Sequence, residues 1–458
     1  MKVLLILPDT KGSFDVYKPS SITRVLRFFY QGFDAASSVF LPPLGLLTIA
    51  ACTPEHIDIE IIDEKVDGRV NLSNDADLIG VSIFAYTARR GYEIADHFRK
   101  KGQKVVLGGF HVSSMIEEAL EHADAVVVGE AEPVWEQILE DARSGKLKRI
   151  YNGSSLLPLQ YTPSPRVDKI DMNPYIFKHV IQATRGCPFD CDFCSVAAFF
   201  GGTFRVKSVE QVLHELGPLN KGELICFVDD NIVGSPRYAA ELFKALIPLK
   251  IRWVGQSSIT IANDKELLKL AAESGCAGLL IGIETLEPAN LAYMGGKIVL
   301  DRLEEQLGRL HEAGIGINAT FILGLDGDTL ETFEKTSSFC INNYIELPSF
   351  MVFNPIPGTR MFSQMRQDGR LRFDGYREYE ALLFQRKIFY TLKGMSERDF
   401  YEGFDKMCRK TYSYTNILRR NLKYRTSFKE YLYVNFVWRQ CDLQLGRRSL
   451  TKHEPLGI

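Results

Sequence analysis

The chain has 458 residues, 45% of them hydrophobic and 24% charged, and a formal net charge of -2. A chain this long usually folds as about three domains. The near-neutral charge excludes the general electrostatic argument for nucleic acid, so we expect no nucleic-acid partner. No apolar run reaches the roughly 18 residues of a membrane-spanning helix, and no secretory leader precedes the first predicted strand. We therefore expect a cytoplasmic protein.

Residues 1–150 alternate short apolar runs with amphipathic stretches. The runs are rich in β-branched residues and lack strict polar alternation, as strands buried on both faces of a parallel sheet do. The predicted strands are 3–7, 57–62, 78–84, 105–107 and 125–128, and the predicted helices are 87–101 and 114–121. This pattern indicates a doubly wound, Rossmann-like α/β domain whose ligand lies at the carboxyl ends of the strands.

A polar, proline-bearing connector, residues 151–175, separates this unit from a second block, residues 176–360. In the second block strand, loop and helix repeat six times. The predicted strands are 179–184, 224–229, 251–255, 278–283, 316–323 and 350–354. Six such units indicate a partial (β/α)6 barrel, related to the eight-unit TIM barrel but open on one side. Active sites of such barrels lie on the loops that follow the strands.

Three cysteines stand together on the loop after the first predicted barrel strand. Cys187, Cys191 and Cys194 form a CxxxCxxC pattern, and no other cysteine lies near enough in sequence to be an obvious fourth ligand. An iron–sulfur cubane held by three thiolates keeps one iron free for a substrate. A structural zinc knot is the alternative, but zinc sites close with four ligands, usually in two CxxC pairs. The triplet therefore predicts a catalytic 4Fe–4S cluster.

Polar groups follow or interrupt several of the later predicted strands, where apolar side chains would be the packing default. One such residue alone is more often a helix N-cap, but several strands that carry polar groups favour a binding site. The residues concerned are Asp229, Asp230, Asn231, Gln256, Ser257, Glu284 and Asn318.

The cysteine pattern, with Phe193 just before the last cysteine, resembles the cluster motif of the radical S-adenosylmethionine (SAM) enzymes. In that family the free iron chelates SAM, and the residue at the position of Phe193 packs near the adenine. The resemblance implies that the polar groups above bind SAM, with either Asp229 or Asp230 at its amino group in place of the family's Gly-Gly-Glu. Residues 321–324 resemble the fifth-strand glycine motif, which implies that Gly324 lies near the adenine.

Glycine motifs in the first unit resemble the cobalamin-binding domain that precedes the barrel in one large radical SAM class. The resemblance covers nearly the whole of residues 1–354 and implies cobalamin as a third cofactor. The Asp-x-His-x-x-Gly motif that supplies an axial histidine is absent. This absence fits cobalamin bound without a protein histidine, and it also fits a domain retained for structure alone. The implied cobalamin contacts are Pro42, Pro43, Leu44, Ser82, Phe84, Gly108, Gly109, His111 and Glu130.

The last segment, residues 361–458, is predicted to be a helical domain rich in aromatic residues. It is also basic, since residues 371–458 hold 18 Lys and Arg against 10 Asp and Glu. A domain that covers the open barrel is the simpler interpretation, and contact with a substrate channel or a membrane surface is the alternative. Tyr376 and Tyr379 are candidates to touch substrate, although core packing is the simpler role for both.

Residues 354–362 and 368–371 resemble the region after the barrel in the subgroup of hopanoid methylases and ring-modifying enzymes. The resemblance implies an enzyme that forms a 5′-deoxyadenosyl radical and methylates an unactivated carbon of a lipid-like or natural-product substrate, with flavodoxin or ferredoxin as reductant. A first alternative is rearrangement, ring contraction, cyclisation or oxidation without methyl transfer, which would not consume two SAM per product. A second is a non-catalytic cobalamin or cluster sensor, which would form no 5′-deoxyadenosine.

Overall fold

The structure is a computed structural model that describes residues 1–10, 41–154, 156–217, 219–372, 375–379, 387–424, 426 and 430–439. Two six-stranded parallel sheets organise these residues, one within the first 153 residues and one between residues 179 and 352. No helix among the described residues is long and apolar enough to cross a membrane.

The first sheet has the strand order β2-β1-β3-β4-β5-β6, with every pair parallel. Its strands are β1 Lys2–Leu7, β2 Asp58–Asp63, β3 Leu78–Ser82, β4 Lys104–Gly108, β5 Ala125–Gly129 and β6 Ile150–Gly153. The order reverses between β1 and β3, the point at which doubly wound sheets open a ligand crevice. The sequence did not predict β6, which is four residues long and alternates exposed with buried positions.

Helices cover both faces of this sheet, and an apolar core lies under each layer. The helices are α1 Leu44–Ala51, α2 Ala88–Lys100, α3 Phe110–Ser114, α4 Ile116–His122 and α5 Trp135–Arg143. The single helix predicted at 114–121 is wrong in its bounds. Met115 has a φ of -130° and a ψ of 56°, which breaks the helical path and separates α3 from α4.

The second sheet has the order β7-β10-β11-β12-β13-β14, again all parallel, and an antiparallel pair, β8 and β9, lies beside it. Its helices lie between successive strands, as expected for an open barrel. The strands are β7 His179–Ile181, β8 Thr184–Gly186, β9 Phe204–Val206, β10 Leu224–Phe227, β11 Arg252–Ser257, β12 Cys276–Glu284, β13 Gly316–Leu323 and β14 Leu347–Val352. The helices are α6 Ser195–Phe200, α7 Val209–Leu216, α8 Pro236–Leu246, α9 Lys265–Glu273, α10 Leu303–Glu312, α11 Leu330–Asn342 and α12 Arg360–Gln367.

Two predicted barrel strands differ from the observed ones. The strand predicted at 179–184 ends at Ile181, because the amides of Ala183 and Thr184 donate to the Asp229 carboxylate instead of continuing the sheet. The strand predicted at 350–354 begins at Leu347 and includes Pro348. Proline is tolerated there because β14 is an edge strand with a partner on one side only.

The carboxyl-terminal helices are α13 Glu397–Thr411, α14 Tyr414–Leu422 and the helical residues 430–439. The first of these packs on α11, so it covers the outside of the barrel. Tyr431 lies under the amino ends of β12 and β13, where a Cβ on Gly278 or Gly316 would approach its side chain to 2.6 or 2.7 Å. The described part of this domain therefore closes the outer face and the amino end. Residues 440–458 lie outside the described residues.

Candidate active site

A cavity of about 430 Å³ opens at the carboxyl ends of β10 to β14. The loop with the three cysteines forms one side of it, and Ala85 and Tyr86 of the first unit reach it from another. Polar side chains from β10 to β13 form a third side. The apolar remainder is formed by Leu280, Ile322, Met351, Val352, Phe353 and Ile356. Both units thus contribute to one cavity, and the three thiols line it.

The cysteine loop begins where β8 ends. Gly186 has a φ of +88°, and a Cβ there would lie 2.1 Å from the carbonyl oxygen of Thr203, so only glycine fits this entry. Burial raises the pKa of Cys191 to about 12 and also raises the pKa of Cys187 and of Cys194. Buried thiols of this kind become thiolates when metal binds them.

All three thiols line the cavity, and this arrangement fits a cluster that several thiolates hold from one side. Among the described residues, no three His, Cys, Asp or Glu side chains stand close enough to hold a single metal ion. Cys187, Cys191 and Cys194 are the residues that would hold the cubane. The Nδ2 amide of Asn231 donates to the Cys187 sulfur at 3.8 Å, which adds a hydrogen bond at this ligand.

The two aspartates after β10 have different surroundings. Asp229 is fully buried, accepts hydrogen bonds from the amides of Ala183 and Thr184, and does not line the cavity. Burial raises its pKa to about 7. Asp230 lines the cavity and accepts from the amide of Gly186 at 2.9 Å. Asp230 is therefore the one available to a ligand, and Asp229 fixes the backbone that leads into the cysteine loop.

Later strands supply the rest of the polar side. Gln256, Ser257 and Glu284 line the cavity as the sequence predicted. The sequence did not single out Lys297, whose Nζ lies 3.0 Å from Glu284 Oε1 and 5.9 Å from the ring centre of Phe193. Burial lowers the pKa of Lys297, but Glu284 and the thiols of Cys191 and Cys194 more than compensate and hold it above its ordinary value.

Room for this ion pair comes from Gly282, where a Cβ would lie 2.2 Å from the Glu284 carboxylate and 2.8 Å from Lys297 Nζ. Thr320 donates to the other oxygen of Glu284 at 3.1 Å. Glu284 has a φ of +66°, which is rare for a non-glycine residue and common at functional sites. The Gly295-Gly296 pair before Lys297 was the signal available in the sequence.

Two residues predicted to contact SAM do not reach the cavity. Asn318 lies deeper in β13 than Thr320, and its Oδ1 accepts a hydrogen bond from Ser349 at 2.7 Å. Gly324 lies past the cavity, where its amide donates to Asp328 and its carbonyl accepts from the Tyr390 hydroxyl. Phe193, by contrast, does line the cavity.

Most residues predicted to contact cobalamin lie at the carboxyl edge of the first sheet or near it, outside the barrel cavity. Ser82, Phe84, Gly108 and Gly109 lie at that edge, but none of them lines the cavity. Phe84 stacks on Tyr86 with ring centres 5.6 Å apart and on Phe110 at 6.2 Å. Pro42, Pro43 and Leu44 open α1, likewise outside the cavity.

The carboxyl edge of the first sheet combines a tight glycine turn with flat aromatic rings. Gly109 has a φ of +106°, and a Cβ there would lie 2.7 Å from the carbonyl oxygen of Ile83, so only glycine fits this turn. Aromatic rings flank it instead, since Phe110 stacks on Phe199 of the barrel at 4.2 Å. A bare glycine turn beside flat rings fits cobalamin, and Phe84, Tyr86 and Phe110 are the residues placed to hold it.

His111 and Glu130, both predicted to contact cobalamin, have partners within the protein. His111 is buried, and its Nε2 lies 2.8 Å from Glu118 Oε1. Glu130 forms a buried ion pair across the interface between the two units, with Arg185 at 3.1 Å and with Arg205. His111 thus belongs to the core of the first unit, and Glu130 joins that unit to the barrel.

Tyr376 and Tyr379 are not brought to the cavity. Tyr376 packs edge-on against Tyr92, with ring centres 4.7 Å apart. Tyr379 is buried against His111 at 5.5 Å. Both rings therefore attach the carboxyl-terminal segment to the first unit, which is the packing role that the sequence favoured for them.

Comparison with known protein families gives two matches along the chain. The model of the Radical SAM superfamily matches residues 181–340, and the model of the B12 binding domain matches residues 33–139. The chain is 30% identical over 389 residues to the bacteriochlorophyllide d C-12(1)-methyltransferase of Chlorobaculum tepidum, covering 82% of this chain and 84% of the relative. It is also 30% identical to the C-8(2)-methyltransferase of that organism, covering 75% and 80%.

The hopanoid C-2 methylase of Rhodopseudomonas palustris is 26% identical, covering 82% of this chain and 72% of the relative. Among solved structures, the radical SAM methyltransferase TsrM of Kitasatospora setae, with cobalamin and a [4Fe-4S] cluster bound, matches with a TM-score of 0.65 at 15% identity. That match covers 98% of this chain and 99% of TsrM. At this identity the likeness concerns the fold, which agrees with the two sheets and the helical carboxyl-terminal region.

Proposed function

We propose that this chain, which belongs to the cobalamin-dependent radical SAM methylases, methylates an unactivated carbon at the edge of a tetrapyrrole-type ring system. Family membership gives the reaction class and the cofactors: a 4Fe–4S cluster, SAM and cobalamin. When bound, the cluster supplies the electron that cleaves SAM, and cobalamin supplies the methyl group. The expected reaction class and the expected cofactors are thereby confirmed.

The observation that carries the substrate proposal is the composition of the cavity. The thiols and the pair Glu284 and Lys297 share the lining with apolar side chains such as Leu280, Ile322 and Phe353. A cavity of about 430 Å³ is at the small end of ordinary ligand pockets of roughly 300–1,000 Å³. Once SAM occupies the polar side, only part of a large ring system has room to enter. We therefore infer that the substrate presents a peripheral carbon.

The chain's own residues hold and orient the reactants in this proposal. Asp230 and Glu284 accept hydrogen bonds from the amino or hydroxyl groups of SAM, and Lys297 donates to an anionic group. Leu280, Ile322 and Phe353 give the cavity an apolar lining that excludes water and receives an apolar part of the substrate. Two relatives that act on bacteriochlorophyllide d support a tetrapyrrole over other apolar natural products.

The test is turnover by the anaerobically reconstituted chain with SAM, a strong reductant and bacteriochlorophyllide d. We expect a product heavier by one CH2 unit, because a methyl group replaces a hydrogen, with 5′-deoxyadenosine and S-adenosylhomocysteine formed in equal amounts. A hopanoid substrate is assayed in parallel. Comparing the two assays shows whether the chain prefers a tetrapyrrole or a hopanoid ring system. Formation of 5′-deoxyadenosine without a methylated product from either substrate would exclude the proposed substrate class.

Finer points of organisation belong to the same proposal. The enzyme uses a small-molecule substrate and a reductant, and we propose flavodoxin or ferredoxin for the latter. We propose a division into residues 1–150, 151–175, 176–360 and 361–458. A cytoplasmic location is supported by the free thiols of all eight cysteines that the structure describes.

Peripheral contact with a membrane through the carboxyl-terminal domain is also part of the proposal. Tyr414, Leu418 and Leu422 are exposed along one side of α14, spaced four residues apart. The exposed Arg419 and Lys423 stand beside them. Apolar and basic side chains on one helix surface favour an anionic membrane surface.

A further inference from the structure

Residues 354–362 follow β14 and lie beside both the cavity and the cysteine loop. Arg360, the first residue of α12, lies against the cysteine loop. Its Nε donates to Asp192 Oδ1 at 2.6 Å, one guanidinium nitrogen donates to Asp190 Oδ1 at 2.8 Å, and the other donates to the Asp190 carbonyl at 2.7 Å. These two aspartates flank Cys191, the middle cysteine of the triplet.

The position of this arginine is unusual for a helix. A positive charge at a helix N-terminus opposes the helix dipole, and acidic residues are favoured there. Here Asp190 and Asp192 supply the missing negative charge from another part of the chain, about 170 residues away in sequence. The amide of Met361, unpaired within the helix, donates to the Asp192 carbonyl at 3.1 Å. Side chain and backbone of the helix start therefore hold the same loop.

A second segment holds the loop from its other side. The amide of Asp192 donates to the Tyr293 carbonyl at 3.1 Å, and Gly295 packs directly on the Asp190 backbone. Residues 354–362 also touch the first unit, because a Cβ on Gly358 would lie 2.4 Å from the Ser114 hydroxyl. Asn354 and Ile356 line the cavity. One short segment thus contacts the cysteine loop, the cavity and the first unit.

We propose that Arg360 is a positioning residue for the cluster: it fixes the Cys187–Cys194 loop and neutralises the two carboxylates that flank Cys191. Held in place, the loop presents its thiols in the spacing that the cubane requires, so iron leaves slowly. With both carboxylates paired, the cluster gains one electron from an external reductant against less negative charge. This inference rests on the cluster, and it makes no use of the proposed substrate.

The test uses the reconstituted holoenzyme, without substrate. In Arg360→Gln the pairing is lost, and we expect iron to transfer to a chelator at least fivefold faster than in the parent chain. At a fixed potential we expect about tenfold less reduced cluster, which corresponds to a fall of ~59 mV in the midpoint of a one-electron couple. Chelator kinetics measure the first, and a redox titration followed by electron paramagnetic resonance measures the second.

Matched variants separate position from charge. Arg360→Lys keeps the charge but lacks the fork that joins both aspartates and the carbonyl, so its midpoint stays near the parent value while iron loss remains fast. The variant Arg366→Gln removes another exposed arginine of α12, and we expect it to match the parent in both measurements. Asp192→Asn, which leaves Arg360 in place, should also speed iron loss. It tests the same pairing if Arg360→Gln folds poorly.

An unchanged rate of iron loss in Arg360→Gln and in Asp192→Asn would overturn the proposal, whatever the midpoint potential does. Fast iron loss with parent-like unfolding temperature supports it. Failure of the tetrapyrrole proposal leaves these measurements untouched, because they need neither substrate nor methyl transfer.

Discussion

The two parallel sheets of this protein have the same number of strands, but they use their carboxyl edges in different ways. The barrel edge carries side chains that do chemistry: thiols, Asp230, Glu284 and Lys297 line the cavity. The edge of the first sheet carries a bare glycine turn and flat aromatic rings, and its buried carboxylate, Glu130, pairs with barrel arginines. One edge therefore presents functional groups, and the other presents flat surfaces.

Removing one thiol should have the largest effect and tests the barrel edge. We expect Cys191→Ala to lose the cluster and to lower 5′-deoxyadenosine formation by more than about 10³-fold, because two thiolates hold a cubane poorly. Cys52→Ala, in the first unit, is the control and should keep its iron. Iron analysis and a single-turnover assay measure both. If Cys191→Ala kept its full iron content and its activity, the cluster would not be held at the barrel edge.

Neutralising Glu130 tests whether this carboxylate, at the carboxyl edge of the first sheet, stabilises the fold. Glu130→Gln leaves Arg205 buried without its carboxylate, while Arg185 keeps Glu132 at 2.8 Å. Breaking a buried pair typically costs about 3–5 kcal/mol. Chemical unfolding should report a loss of that size. In Glu140→Gln, where the partner Arg143 is exposed, the change should be small. If Glu130→Gln unfolds like the parent but loses cobalamin, Glu130 is a cofactor contact after all.

The contrast between the edges also explains how far the sequence could be read. Strand bounds such as 316–323 agree with β13, and the cysteine triplet lies where its loop was predicted. Thiols and carboxylates are recognisable as residue types, so the sequence could name Cys187 and Glu284 as candidates, and both line the cavity. The chemistry of these groups belongs to the side chain itself, and the short spacing between the cysteines already brings the thiols close together.

What the sequence missed depends on contacts distant along the chain. The sequence could not decide between Asp229 and Asp230, because the difference is whether the carboxylate meets buried amides or the cavity. His111 and Glu130 looked like ligands because their partners, Glu118 and two barrel arginines, become neighbours only in the fold. Tyr431 under Gly278 is a further example, since nothing local in the sequence links the two.

Lys297 allows a sharper test within the polar edge. We expect Lys297→Met to bind SAM about 10–100-fold more weakly, because Glu284 is left buried without its cation. Its iron content should stay at the parent level. Lys335→Met is the control, since its pair with Glu287 is half exposed. Equilibrium binding of SAM to the reconstituted enzymes measures the effect. An unchanged affinity would restrict the role of Lys297 to holding Glu284 in its strained backbone conformation.

A glycine pair gives the smallest effect and tests the role of shape at the first edge. Gly102 and Gly109 both have positive φ, +84° and +106°, so alanine is strained at each. Only at Gly109 would the new Cβ also strike backbone, the carbonyl oxygen of Ile83 at 2.7 Å, whereas Gly102 has open space around it. Gly109→Ala should therefore lower the free energy of unfolding by about 1–2 kcal/mol more than Gly102→Ala does.

The same pair separates stability from binding. If the bare turn also admits cobalamin, Gly109→Ala should weaken cobalamin binding in a spectroscopic titration, while Gly102→Ala should not. Gly102 lies between α2 and the amino end of β4, at the opposite end of that strand from Gly109. Equal affinities in the two variants would mean that the glycine turn is needed only for folding. The aromatic rings of Phe84, Tyr86 and Phe110 would then carry the binding by themselves.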